Sequence, residues 1–95
     1  MNVGDTVMGR TYSAGVFAGR LVRREGKEVE LAAARRIWYW EGAASLSQLA
    51  AEGTKKPSAC KFAVPIDVIV TEAIEIMPVS REAQASIEAV MPWKV

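Results

Sequence analysis

Apolar and polar residues alternate with a period of two through the first third of the chain, which predicts β-strands. Asp5 to Tyr12 reads as the first strand, with Val7, Gly9 and Thr11 alternating with Met8, Arg10 and Tyr12. Glycine within it weakens the strand and marks a bulge or a close backbone approach. Ser13-Ala14-Gly15 is a short turn, and Val16 to Arg24 is the second strand. A three-residue loop, Glu25-Gly26-Lys27, leads into Glu28 to Leu31 and sets Arg24 opposite Glu28 and Leu21 opposite Leu31. One face of this hairpin then carries Phe17, Gly19, Leu21, Val29 and Leu31. The other carries Arg20, Val22, Arg24, Glu28 and Glu30. An apolar face backed by a charged one suits a half-buried antiparallel pair, and a slip of one residue would mix the two.

Ala32-Ala33-Ala34 favours helix, whereas Ile37-Trp38-Tyr39-Trp40 is strongly β-prone. Glu28 to Trp40 is therefore one long strand, or two broken near the alanines, ended by Glu41-Gly42. Ser45 with Gln48 three residues on is a capping box, and it predicts a short helix from Leu46 to Glu52 that Gly53 terminates. Thr54 to Ser58 is an exposed loop. Cys60 to Val64 is a further strand, with Pro65 suggesting an edge or a bulge, and Val68 to Met77 is another. Ser80 caps a last helix, Arg81 to Val90, in which Ala83, Ile87 and Val90 recur at helical spacing. Pro92 and Trp93 follow, and a terminal Trp plugs a core edge or a subunit contact.

Short antiparallel strands with brief loops, and no early crossover helix, predict a mainly β, α+β fold. The expected form is a small, twisted antiparallel barrel or roll with one short internal helix and a C-terminal helix. Residues 1–95 are read as a single domain, since so short a chain supports one core.

Charge adds one feature. The net charge of +1 exerts no general pull toward nucleic acid or membrane, so a nucleic-acid partner is not expected. Residues 10–36 hold seven Arg or Lys against three Glu, while residues 62–90 hold one Arg against five acids. Either the fold has a basic and an acidic side, which lets copies meet head to tail, or the two halves neutralise each other. Cys60 is the only cysteine, which excludes an internal disulfide and suits a reducing compartment; it reads as a buried thiol. The first residues lack a basic, apolar leader, and no apolar run is long enough to cross a bilayer. A cytoplasmic location without membrane attachment is expected.

The absence of histidine removes Ser–His and Cys–His nucleophile pairs and the common zinc sites. No phosphate-loop or dinucleotide fingerprint is present. A non-enzymatic chain without metal or cofactor is expected. Recognition chemistry remains. Tyr12, Phe17, Trp38, Tyr39 and Trp40 offer aromatic faces, and Arg10, Arg20, Arg35 and Arg36 offer planar forks suited to phosphate. Strand alternation sets Arg36, Trp38 and Trp40 on one side as a wall on which a nucleobase could stack. Pattern alone favours the other use of the same tryptophans, as core or subunit contacts.

The runs Arg10-Thr11-Tyr12-Ser13-Ala14-Gly15-Val16-Phe17-Ala18-Gly19, Ala34-Arg35-Arg36-Ile37-Trp38-Tyr39-Trp40-Glu41-Gly42-Ala43 and Ser45-Leu46-Ser47-Gln48-Leu49-Ala50 resemble a family of short proteins found mainly in tailed bacteriophages and prophages. In size and in arginine-plus-aromatic content the chain is also similar to phage sponges. These are oligomers that withhold cyclic oligonucleotide or cyclic ADP-ribose immune signals. That resemblance implies a nucleotide-type ligand, a homo-oligomer, and base and phosphate contacts from Tyr12, Arg36, Trp38 and Trp40, with Lys61 as a further phosphate contact. The rival expectations are a virion or scaffold component without a small ligand, and a single-strand nucleic-acid binder.

Overall fold

The most β-prone stretch of the chain becomes the spine of the sheet. The structure, a computed structural model, describes residues 1–95. Its strands are β1 (Thr6–Thr11), β2 (Val16–Glu25), β3 (Glu28–Tyr39), β4 (Lys61–Phe62), β5 (Ile66–Val70) and β6 (Ala73–Pro78). Helix α1 (Leu46–Glu52) lies between β3 and β4, and α2 (Arg81–Ala89) follows β6. The antiparallel order is β4-β3-β2-β1-β6. One edge of β3 pairs with β2 along most of its length. The other edge is divided: Val29 to Ala34 face β5, and Ile37 to Tyr39 face β4.

Ala33 marks the division. It has φ 50°, the only non-glycine residue with positive φ, and it sits where one residue of β2, Gly19, opposes two of β3. Such a bulge bends a strand and strengthens its twist. The Asp67 carboxylate accepts the Ala33 N–H at 3.0 Å and holds the bend. The alanine triplet, helix-prone in isolation, thus remains in the strand but as its kink.

The expected strand from Val68 to Met77 is divided at Thr71-Glu72 into β5 and β6. Both halves run in the same direction, because β5 is antiparallel to β3, β6 is antiparallel to β1, and β1 and β3 are two antiparallel steps apart. One extended run therefore lines both margins of the sheet. The Ala73 N–H donates to the Lys27 carbonyl and the Tyr12 N–H to that of Glu72, each at 3.0 Å, which pins this corner. No ladder joins β5 to β6. Of the two expected forms, barrel or roll, the sheet takes the roll, and it is not closed into a barrel.

Each face of the roll has its own core. Val7, Phe17, Leu21, Val29, Leu31, Ala34 and Val70 pack together inside, with contributions from both margins. Outside, Met8, Ala18, Ile37 and Phe62 of the sheet meet Leu49 and Ala50 of α1, Ile87 and Val90 at the end of α2, and Cys60. Val7 and Met8, and Phe17 and Ala18, are neighbours in sequence and belong to opposite cores, as the period of two requires. Truncating a fully buried Phe17 or Phe62 to Ala is worth about 3–5 kcal/mol in such packing.

The hairpin differs from expectation in one detail. Leu21 opposes Leu31, but Glu25 opposes Glu28, so the loop is the two residues Gly26-Lys27, and a register shift between Leu21 and Arg23 absorbs the difference. Gly26, at φ 61°, takes the first loop position, which suits a reversed hairpin turn. The shift makes Arg23, rather than Arg24, the partner of Glu30, Glu28 and Glu25.

Both helices start as the sequence predicts. Ser45 Oγ accepts the Gln48 N–H, and Ser80 Oγ accepts that of Ala83. Gly53 ends α1 at φ 80°, against Ser86 of α2. The end of α2 is held by a long-range partner, the guanidinium of Arg35, which donates to the carbonyls of Ile87 and Val90 at 2.9 and 2.6 Å. The strands of the basic segment, β1 to β3, lie together, those of the acidic segment, β5 and β6, flank them, and one ion pair, Arg10 to Glu75 between β1 and β6, joins the two. No helix is long and apolar enough to cross a membrane.

Candidate ligand-binding surface

The C-terminal end of β3 escapes the regular ladder. Ile37 pairs with Phe62 and Tyr39 with Lys61, so Trp38 is the extra residue of a bulge. Its indole is released from the sheet and stays 67% exposed. The tail of the chain supplies its neighbour. Pro92 forms a parallel bridge with Phe62, and the Trp93 N–H donates to the Phe62 carbonyl at 2.8 Å, which lays residues 92–93 beside β4. The Trp93 indole, 50% exposed, then stacks on that of Trp38, with centroids 6.1 Å apart and planes 16° from parallel. This is an offset pair within the usual range for aromatic contacts. Lys61 adds a cation, its Nζ lying 5.3 Å from the Trp93 ring centroid. Three separate elements thus place two indoles and an ammonium on one exposed surface.

Arg36 lies against the open end of the inner core, its guanidinium 4.6 Å from the centroid of the buried Phe17 ring. The contact follows from register, since Phe17 and Arg36 are direct cross-strand partners. It leaves the outer side of an exposed guanidinium available. Tyr12 is 76% exposed in the β1–β2 turn, where Thr11 Oγ1 donates to the Gly15 carbonyl and accepts the Ala14 N–H. That turn precedes Val16, the partner of Ile37, so Tyr12 belongs to the same end of the sheet as Trp38.

Trp40 is not brought into this group. It is half-buried against the outer core and its Nε1 donates to the Ala43 carbonyl at 3.1 Å. The single wall expected of Arg36, Trp38 and Trp40 requires uninterrupted alternation, and the bulge at Trp38 and the end of β3 at Tyr39 interrupt it. Arg35, offered by its residue type as a phosphate fork, is 5% exposed and bonded to four backbone carbonyls. Burial alone pulls its pKa below the ordinary arginine value. Tyr39 donates its hydroxyl to Glu41 at 2.8 Å, and this hydrogen bond to the neutral phenol raises its pKa.

A family described as a domain of unknown function, DUF6948, matches residues 4–87. The chain belongs to the DUF6948 family. No curated protein and no solved structure matches it. Tyr12, Arg36, Trp38 and Lys61 lie within the DUF6948 match, and Trp93 lies beyond it. Trp93 is also the residue that sequence reasoning left outside the site. Its partnership with Trp38 depends on the Phe62–Pro92 bridge, and no local pattern announces a two-residue pairing across thirty positions of chain.

Proposed function

We propose that this chain is a non-catalytic binding protein that takes a nucleotide-type ligand on the Trp38–Trp93 surface. The carrying observation is the pair of exposed, nearly parallel stacked indoles with a lysine ammonium beside them. Large exposed aromatics grouped with a cation suit a ligand that is flat at one end and anionic at the other. Arg36 and Tyr12, at the same end of the sheet, extend the set toward phosphate and a second base. The finer reading is sequestration of a cyclic oligonucleotide or cyclic ADP-ribose signal of phage infection by a homo-oligomer; it rests on the likeness of the sequence to phage proteins.

Titrating intrinsic tryptophan fluorescence with cyclic dinucleotides, cyclic ADP-ribose and linear nucleotides tests the proposal. Saturable quenching is expected with at least one of them. Trp38→Ala should weaken that binding roughly 5- to 150-fold, the equivalent of about 1–3 kcal/mol of stacking, with the melting temperature kept. No quenching by any nucleotide would refute it. A second reading, that this surface docks another copy of the chain, is favoured by Met91, which is 80% exposed on the same tail as Trp93. Light scattering separates the two: Trp38→Ala and Trp93→Ala would then dissociate an oligomer without any nucleotide being present.

A further inference from the structure

A well-formed cavity lies away from the indoles. It is a cleft of about 470 Å³ between α2, the start of β1 and the bulged middle of β2 and β3. That volume falls within the range of small-molecule sites. Sequence and fold create it together. Gly19 opposes the Ala33 bulge, and a Cβ at Gly19 would lie 2.9 Å from the Ala34 Cα, so the strands meet closely with only small side chains over them. Ala18, Ala32 and Ala33 join Gly19 in the lining. On the other side α2 presents Arg81, Gln84 and Glu88, which share one helical face.

Three guanidiniums line this cleft: Arg20 from β2, Arg35 from β3 and Arg81 from α2. Arg35 is the informative one. Its Nε–H bonds to Ala63, its two Nη1 hydrogens go to Ile87 and Val90, and one Nη2 hydrogen goes to Phe62. Of the five guanidinium N–H groups, one is therefore left over. All four partners are neutral carbonyls, and Arg35 is absent from every ion pair in the molecule. Carbonyl dipoles and the Phe62 ring, 5.6 Å from its guanidinium carbon, solvate this cation, but no negative charge balances it. Arg20 and Arg81 are exposed and likewise make no ion pair. The lining also holds two carboxylates, each accepting one neutral hydrogen bond, Asp5 from the Asn2 N–H and Glu88 from Gln84 Nε2, and neither forms an ion pair with the three arginines.

From this arrangement we infer that the cleft binds the phosphate group of a small phosphomonoester of nucleotide size, held by Arg20, Arg81 and the remaining N–H of Arg35. Three guanidiniums exceed what one carboxylate would satisfy and suit a dianionic, many-acceptor group. The small-residue lining gives room for a flat ring, and Asp5 and Glu88 can accept from hydroxyl or amino groups of the same ligand. The site is independent of the indole surface, and binding in it survives loss of that surface.

The test is an amide NMR titration of the whole chain with inorganic phosphate, adenosine monophosphate, adenosine and acetate. Saturable shifts are expected for Thr6, Gly19 and Gln84 with phosphate, and at lower concentration with adenosine monophosphate. Arg20→Ala and Arg81→Ala, at exposed positions, should each raise the phosphate Kd about tenfold or more with the fold unchanged. Trp38→Ala should leave it as it is. Shifts confined to Trp38 and Trp93, shifts that persist in both arginine variants, acetate binding as tightly as phosphate, or no saturation at millimolar phosphate would each overturn the assignment.

Discussion

Replacing Arg35 with Met keeps an unbranched, apolar stem of similar length and removes the guanidinium. The structure sets the size of the effect. Four carbonyls lose a donor, but not equally. The Ile87 carbonyl still accepts the Val90 N–H, and that of Phe62 still accepts the Trp93 N–H. Those of Ala63 and Val90 have no other partner. Two orphaned acceptors, that of Val90 buried and that of Ala63 partly buried, cost up to about 1–3 kcal/mol each. Against this, the variant no longer buries a cation without a counter-ion, which returns part of the loss. The net expectation is about 2–4 kcal/mol, a large share of the roughly 5–15 kcal/mol that holds a domain folded. At 95 residues that corresponds to a fall in Tm of roughly 8–30 °C. Urea unfolding followed by far-UV circular dichroism measures it directly, with the slope against denaturant checked for constancy. Arg35→Lys should lie between wild type and Arg35→Met, because one ammonium cannot span carbonyls that a planar fork reaches. A loss below about 1 kcal/mol in Arg35→Met, at unchanged slope, would refute the view that this side chain fastens α2 to the sheet.

Gly53→Ala should destabilise by more than about 2 kcal/mol in the same urea assay, because a Cβ there would lie 2.4 Å from that of Ser86 at a φ of 80°. Gly26→Ala, also at positive φ but facing open space, should lose only about 1 kcal/mol. Tyr39 has a folded-state pKa above the ordinary 10.0 because its hydroxyl donates to Glu41. Folding therefore favours the neutral phenol, so this contribution is whole below pH 10 and fades as pH climbs through the folded pKa. Absorbance titration of tyrosinate should show Glu41→Gln bringing Tyr39 back toward 10.0, and an unmoved titration would contradict the cause assigned.

Local rules reached far into this fold. The capping residues Ser45 and Ser80 place both helix starts, and Gly53 one helix end, because caps act within a few residues. The Leu21–Leu31 pairing follows from the alternation of one apolar and one charged face. Misreadings arose where tertiary structure interrupts a local period. The bulge at Trp38 takes Trp40 out of the group formed by Trp38 and Lys61. The division at Thr71-Glu72 is invisible because no glycine or proline marks it in the run from Val68 to Met77. Trp93 and the Arg35 carbonyl network depend on contacts between distant segments, so neither has a signature in its own neighbourhood. The cleft lies at the same limit: its small residues read as an ordinary strand until the Ala33 kink and α2 enclose them.

The run from Ile66 to Pro78 serves the opposite margins of one sheet and crosses between them in two residues. It therefore acts as a drawstring. Val70 pairs with Val29 on one margin and Ala73 with Thr11 on the other, so both pairings hold together only while β1, β2 and β3 are aligned and curled. A nick between Thr71 and Glu72 would leave every strand pairing in place and pass the seam to the Ala73–Lys27 backbone hydrogen bond and the packing of the inner core.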